Sequence, residues 1–349
     1  MGASSRDSHA RAATLHDVAQ RAGVAVSTAS RALTGRRRVS PRLVRRVQSA
    51  ASALDYSPNV AARSLRLSRT MTLGLIVPKV SNPGFFDFLE GVSSGIEEHG
   101  YSLMVTVARG DPHHYRTLIE RLHERRMDGI FLVTPPEMPD TSRALEAADT
   151  PTLALWKGPA SLPLLTSTEE AAIGRAVERL AELGHRRILY LGLPESVPSI
   201  RVTWLEQAAH RAGLAVTAVM IPHRRPEQPL QACIEHALAG PDGATALFVD
   251  LGLVPALMHL LTARGLRVPA DVSLIAFGES PWTLELGLPL ASISHTMQAL
   301  GTAAAAVMIA WLKGERPAPL ITVGAGEWIE RASIGPAARA NRQGIDRVQ

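Results

Sequence analysis

Short apolar stripes at helical spacing, broken by glycine and proline, mark the chain up to about residue 65, and a longer alternation of apolar runs and helical stripes follows. Leu15, Val18, Ala19 and Ala22 recur at helical spacing behind Thr14, a residue suited to N-capping, and Gly23 supplies the stop. A second helix is expected over 26–33, with Ala29 and Leu33 inward and Val26, Ser27 and Arg31 outward. After the basic loop 35–39, Ser40 is placed as the cap and Pro41 in the first turn of a third helix. Its stripe is Leu43, Val44, Val47, Ala51 and Leu54. Two helices joined by a short turn containing Gly form a helix-turn-helix, although the periodicity alone fits a small helical bundle equally well.

From Thr70 the rhythm changes to strands alternating with helices, the signature of parallel α/β layers. Strands are expected at 71–78, 101–108, 129–133, 152–155, 188–191, 216–221, 247–249 and 272–277. Helices are expected at 85–99, 114–125, 168–183, 201–212, 228–239 and 253–264. Two successive series of about a hundred residues each predict two similar lobes, and small ligands bind beyond the carboxyl ends of such strands.

Composition narrows the class. With 349 residues, 46% of them hydrophobic and 20% charged, the chain buries a real core. No apolar run approaches the length of a membrane span. The segment MGASSRDSHARAATLHD is polar and unlike a secretory signal, and the single Cys233 allows no internal disulfide. A cytoplasmic protein is expected. The net charge of +5 is unevenly spread: residues 1–70 hold thirteen Arg against Asp7, Asp17 and Asp55, a net of +10, which leaves −5 for the remainder. A basic head on a mildly acidic body is the footprint of a polyanion-binding module joined to something else.

The segments Thr14-Leu-His-Asp-Val-Ala-Gln-Arg-Ala-Gly-Val24, Ser27-Thr-Ala-Ser-Arg31, Val39-Ser40 and Asp55-Tyr-Ser-Pro-Asn-Val-Ala-Ala-Arg-Ser-Leu65 resemble the DNA-binding headpiece and hinge of the LacI/GalR family of bacterial transcription regulators. The resemblance implies a second helix in the major groove, with Val26, Ser27 and Arg31 on base edges and Thr28 and Ser30 near phosphate. Arg reaches guanine bidentately, and Val suits a thymine methyl. Thr14, Arg36, Arg37, Asn59 and Arg63 complete the DNA-facing set. Ala25 stands where the family has a Ser cap, a loss on the order of 1 kcal/mol. Residues 59–65 make only two helical turns, which are marginal alone in water. The resemblance implies a hinge that folds on the operator, with Leu65 wedged into the minor groove.

The resemblance extends through Ser81-Asn-Pro83, Gly91, Gly100-Tyr101, Gly184-His-Arg-Arg-Ile188, Gly265-Leu-Arg-Val-Pro269 and Arg331-Ala-Ser333. It implies an all-α helix-turn-helix headpiece plus an α/β two-lobed periplasmic-binding-protein-like core for effector binding and dimerisation, with 297–313 and the last strands crossing back between lobes. The expected organisation is a disordered tail 1–13, headpiece 14–57, hinge and linker 58–69, core 70–335 and tail 336–349. Arg201 matches the family's ligand-binding Arg, and Asn82, Phe85, Trp156, Lys157, Thr168, Asp250 and Gly278 complete the expected effector set. Where sugar-binding relatives carry acids this chain has Thr168, Asp250-Leu251 and Gly278, so the pocket is expected to be short of acids. Leu155-Trp-Lys157 and Glu327-Trp-Ile-Glu-Arg331 resemble the gluconate-repressor branch, which implies an anionic sugar acid received by Trp156, Lys157 and Arg201.

Competing chemistry is thin. Gly91-Val-Ser-Ser-Gly95 fits a nucleophile elbow, but a helical stripe rather than a strand precedes it, which places Ser93 mid-helix. His113-His114 at a helix start lacks the partners of a zinc site, and no dinucleotide or P-loop glycine pattern is present. An α/β hydrolase using Ser93 is thus the weaker alternative to an effector-controlled, homodimeric regulator that binds pseudo-palindromic operator DNA without cofactor, metal or membrane. Repression and activation are both compatible with the sequence, and the sign of effector control depends on which state the ligand binds better. The C-terminal tail has no leucine heptads for a coiled-coil tetramer.

Overall fold

The computed structural model describes residues 13–34, 39–56, 69–78, 84–109, 111–133, 150–193, 198–222, 226–238, 243–279, 287–294 and 297–338. The chain divides into two compact units, with the boundary between Thr70 and Met71.

The first unit holds α1 (Leu15–Arg21), α2 (Val26–Thr34) and α3 (Pro41–Ala53). Thr14 begins α1 with a capping box: its hydroxyl accepts the Asp17 amide at 3.3 Å, while the Thr14 amide donates to the Asp17 carboxylate at 2.8 Å. Six of the eight buried core residues are alanines, the exceptions being Val18 and Val47, so three short helices approach closely around a small core. Leu33, expected inward, is half-buried at the edge of that core, whereas Ala32 is fully inside. Ser40 occupies the cap position of α3, but contrary to expectation its side chain makes no capping hydrogen bond; Pro41 in the first turn starts the helix without that help. At Ala25 the backbone carbonyl alone accepts the Thr28 and Ala29 amides.

The second unit is built on two six-stranded sheets of matching order. The first contains β1 (Thr72–Val77), β2 (Ser102–Val107), β3 (Gly129–Val133), β4 (Thr152–Leu155), β5 (Leu164–Thr168) and β11 (Leu320–Ala325), in the order β11-β5-β4-β3-β1-β2, all parallel. The second contains β6 (Arg187–Gly192), β7 (Ala215–Met220), β8 (Ala246–Asp250), β9 (Ser273–Phe277), β10 (Ala291–Ser294) and β12 (Glu327–Ile329), in the order β12-β10-β9-β8-β6-β7, with only β12 antiparallel. Near-continuous apolar runs in β3, β4, β8 and β9 are buried throughout, as strands covered on both faces require.

The helices are α4 (Gly84–Glu97), α5 (Pro112–Glu124), α6 (Glu170–Glu182), α7 (Pro198–Ala212), α8 (Glu227–Ala237), α9 (Val254–Ala263) and α10 (Met297–Leu312). Two expectations are corrected here. The helix expected from 168 begins at Glu170, because Leu164–Thr168 pairs as β5 between β4 and β11. Residues 251–253 form a separate 3-10 turn ahead of α9.

Between described elements the chain passes from one sheet to the other three times: at Thr168–Glu170, between Ser294 and Met297, and at Ala325–Glu327. Each departure is from the carboxyl end of a strand, so the carboxyl edges of the two sheets face one another. The third crossover is pinned to the first, since the Gly326 amide donates to the Thr168 carbonyl at 2.7 Å.

The string that resembled a nucleophile elbow lies in α4, with Ser93 exposed in mid-helix, and its glycines have a packing role. A Cβ on Gly91 would lie 2.1 Å from the Gln298 carbonyl oxygen, one on Gly95 2.6 Å from the Ala305 Cβ, and one on Gly301 2.3 Å from the Phe88 carbonyl oxygen. α4 and α10 therefore touch backbone to backbone, which no larger residue permits. Gly91→Ala is expected to cost about 1–3 kcal/mol in urea denaturation. By contrast Gly174, inside α6 with open space around it, should gain about 1 kcal/mol as Gly174→Ala.

The last segment is fastened to the second lobe by a buried polar network. His185 Nδ1 lies 2.7 Å from Thr245 Oγ1 and Nε2 3.0 Å from the Gly335 carbonyl, while Ser273 Oγ accepts the Gly335 amide at 3.0 Å. A carbonyl only accepts, so Nε2 carries the proton and Nδ1 accepts from Thr245. Ser333 Oγ adds a bond to the Leu274 carbonyl at 2.6 Å and accepts the Ala291 amide at 2.7 Å. Burial holds the His185 imidazole below its ordinary 6.5, with the Gly335 hydrogen bond acting in the opposite sense. The unfolded chain thus takes up the proton first on acidification, and the stability contributed above about pH 6.5 is lost as pH falls through the folded value. Unfolding free energy measured from about pH 7 down to pH 5 should decline more steeply for the natural chain than for His185→Asn.

Candidate nucleic-acid interface and effector cleft

On α2 the side chains expected to meet DNA stand on the outer face. Val26 is 39% exposed, Ser27 and Arg31 are exposed, and Thr28 and Ser30 are half-buried at the flanks. Arg31 Nε donates to the Ser27 carbonyl one turn back at 3.1 Å. Thr14 is engaged in the α1 cap. Arg36, Arg37, Asn59, Arg63 and Leu65 lie outside the described residues, as does Asn82 of the effector set. So do 1–12 and 339–349 of the expected tails.

In the core, the carboxyl edges of the sheets carry two unlike walls. At the first sheet Phe85, near the start of α4, stacks on Phe88 with centroids 5.6 Å apart, and Phe88 meets Trp156 at 5.1 Å. Trp156 follows β4 in a left-handed conformation, φ 63°, with its amide on the Leu165 carbonyl at 2.9 Å. Lys157 beside it is exposed. Thr168 ends β5, half-buried, and its hydroxyl accepts the Glu170 amide at 3.4 Å.

At the second sheet the wall is ionic. Arg201, near the start of α7, donates from Nε to Glu169 at 2.8 Å, from Nη2 to the other Glu169 oxygen at 3.1 Å, and from Nη1 to Asp250 at 3.2 Å. The guanidinium also lies over the Phe277 ring, 4.8 Å from its centroid. Side-chain exposure is 12% for Arg201, 6% for Glu169 and 4% for Asp250. Asp250 further accepts the Tyr190 hydroxyl at 3.1 Å and the Leu193 amide at 2.8 Å. Burial alone would lower the Arg201 pKa, but Glu169 and then Asp250 more than offset it and hold the charge on. Burial, with the Asp250 carboxylate adding to it, pushes the Tyr190 phenol up and keeps it a neutral donor. These groups sit where β6 has β7 on one side and β8 on the other, the switch point at which α/β sheets receive ligands.

Residues 14–59 match the lacI family of bacterial regulatory proteins, and 177–334 match a periplasmic binding protein-like domain. The HTH-type transcriptional repressor PurR of Mannheimia succiniciproducens is 30% identical over 304 residues, covering 83% of this chain and 89% of that protein. The chain belongs to the LacI family. The HTH-type transcriptional repressor CytR of Escherichia coli K12 is 28% identical over 314 residues, covering 87% of this chain and 91% of the relative. Among solved structures, the lac repressor dimer bound to operator and the anti-inducer ONPF superposes with a TM-score of 0.78 at 22% identity, covering 93% of this chain and 99% of that one. This LacI-family chain is accordingly a DNA-binding transcription regulator with a helix-turn-helix head and a two-lobed α/β core.

Within this LacI-family core, one expectation about the cleft is overturned. The site is not short of acids: Glu169, which sequence reasoning passed over, and Asp250 are both buried against Arg201, so the cation excess that pointed to an anionic effector is absent at this cluster. Gly278 carries no acid and has φ 100°, a turn conformation suited to glycine. The next residue, Glu279, does supply a carboxylate, which pairs with Arg331 and accepts from Ser292 at 3.1 Å. An acid opening a helix is ordinary N-terminal chemistry, so only the fold reveals Glu169 as a partner of Arg201. Arg201→Met would leave two buried carboxylates without their cation and should cost about 3–5 kcal/mol in urea denaturation. Adding Glu169→Gln to Arg201→Met should recover part of that loss.

Proposed function

We propose that this chain is an effector-controlled repressor that acts as a homodimer on pseudo-palindromic operator DNA in the cytoplasm, with a small polar molecule of carbohydrate character seated between its lobes. The observation that carries the DNA-binding half is the outward face of α2, where Val26, Ser27 and Arg31 project from a helix held by a complete three-helix core. On this reading those three side chains read base edges, Thr28 and Ser30 approach phosphate, and Thr14, Arg36, Arg37, Asn59 and Arg63 add backbone contacts. Leu65 supplies the minor-groove wedge.

Support for the effector half is the pairing of an aromatic wall, Phe85, Phe88 and Trp156, with a charge-matched polar wall at Arg201. A sugar ring offers an apolar face to the first and hydroxyls to the second. Phe85, Trp156, Lys157, Thr168, Arg201, Asp250 and Gly278 remain the proposed lining, with Asn82 from the segment after β1. A ligand touching both walls favours one lobe arrangement by its difference in affinity between arrangements, and that preference is transmitted to the paired hinges. No chemical step is assigned to Ser93.

Fluorescence anisotropy on the upstream intergenic DNA, titrated with salt, tests the reading. Each phosphate neutralised should contribute about −0.9 to the log–log slope. Arg31→Ala should lower the ratio of specific to scrambled-DNA affinity by about 1–3 kcal/mol, whereas Arg36→Ala or Arg37→Ala should weaken both DNAs alike. Equal loss on both DNAs for Arg31→Ala would remove Arg31 from base readout.

A further inference from the structure

We infer that Glu169 is a specificity-determining residue of the effector cleft: by gripping Arg201 bidentately beside Asp250, it reserves the site for uncharged polar effectors and turns carboxylates away. The inference rests on the reading that Arg201 faces the effector.

Three observations converge on it. The first is charge balance. One guanidinium stands within 3.2 Å of two carboxylates, so these three side chains together sum to −1. The neighbouring Glu279 is already matched by Arg331, and Lys157 belongs to the opposite wall. The second is dryness. Arg201, Glu169 and Asp250 are nearly buried, so the repulsion between an incoming carboxylate and these two is weakly screened.

The third is rigidity. Glu169 is the cap position of α6, immediately after the first crossover, and the crossover strand carrying Gly326 runs against it: a Cβ on Gly326 would lie 3.1 Å from Glu169 Cγ and 3.2 Å from the Ser294 carbonyl oxygen. Arg201 is likewise held from below by the Phe277 ring. Neither partner turns away readily. A ligand carboxylate must therefore evict Glu169 and leave it buried without its cation, a penalty that a hydroxyl does not incur, since a hydroxyl both donates to carboxylate and accepts from guanidinium.

The test compares sodium D-gluconate with D-glucitol, which differ only in a terminal carboxylate against a hydroxymethyl, by isothermal titration calorimetry on the full chain. Natural protein, Glu169→Gln, Glu169→Asp and the double variant Glu169→Gln/Arg201→Met are measured at equal ionic strength. The expected result is a gluconate dissociation constant at least about tenfold lower for Glu169→Gln than for the natural chain. Glu169→Asp should stay with the natural protein, the double variant should lose the gain, and the response to glucitol should not follow the gluconate change. Gluconate binding by the natural chain as tightly as by Glu169→Gln, or by neither, overturns the assignment. If Glu169→Gln fails to melt cooperatively, Glu169→Asn replaces it in the same comparison. Anisotropy on operator DNA with the same samples separates the two levels: specific DNA binding with no gluconate gain removes only the role of Glu169, whereas absence of specific DNA binding removes the regulator itself.

Discussion

The chain crosses between its two sheets from carboxyl edges each time, and the effector cleft follows from that constraint. Because Thr168 and Ala325 end parallel strands of the first sheet and Ser294 ends a parallel strand of the second, both switch points come to the same gap. The crossovers are short, with Gly326 alone separating β11 from β12. A hydrogen bond from that glycine to Thr168 ties two of them together. A ligand in the gap lies close to the only covalent links between lobes among the described residues, which is where a small displacement has the largest angular effect on both.

The two walls of the gap differ in what they can transmit. Phe88, packed in the core of the first lobe with α10, backs the aromatic wall among apolar neighbours. The ionic wall is built into the scaffold: Asp250 simultaneously ends β8, receives the Leu193 amide after β6 and accepts Tyr190 from within the sheet. Movement of Arg201 would therefore be felt in both β6 and β8, adjacent strands of the second lobe. The side chains that family likeness implies for ligand contact are also the ones that form the buried ionic network of the second lobe.

Much of this was legible beforehand, and the failures have identifiable causes. The head was readable because each of its signals is local: Thr14 with Asp17, Gly23 after the first stripe, Pro41 opening the third helix. Eight of the core strands were readable as apolar runs, whereas the four-residue β10, Ala291–Ser294, was not, being short and half composed of serine. β5 was missed because Leu164-Leu-Thr-Ser-Thr168 is short, half polar, and runs directly into a strong helical stripe that absorbed its last residue. The charge state of the cleft was misread for a different reason. Glu169 and Arg201 are thirty-two positions apart, one capping α6 and the other near the start of α7, and nothing periodic links them. Pairing of that kind is a property of topology, whereas composition and motif report only which charges exist.

The intimate seat of α10 against α4 also orders events during synthesis. Residues 84–97 and the first strands emerge early, yet the helix that covers them, 297–312, and the edge strand 320–325 are made only after nearly the whole second lobe. Emerging vectorially, the first lobe must wait with Phe88 and Val92 uncovered while the second lobe assembles from a nearly continuous stretch of chain. Both lobes are thus completed only by the last described strands, β11 for the first sheet and β12 for the second. Until residues 297–312 have been made, Phe88 and Val92 lack the helix that packs against them in the folded chain, and an apolar surface exposed in that interval is the kind that promotes misassembly.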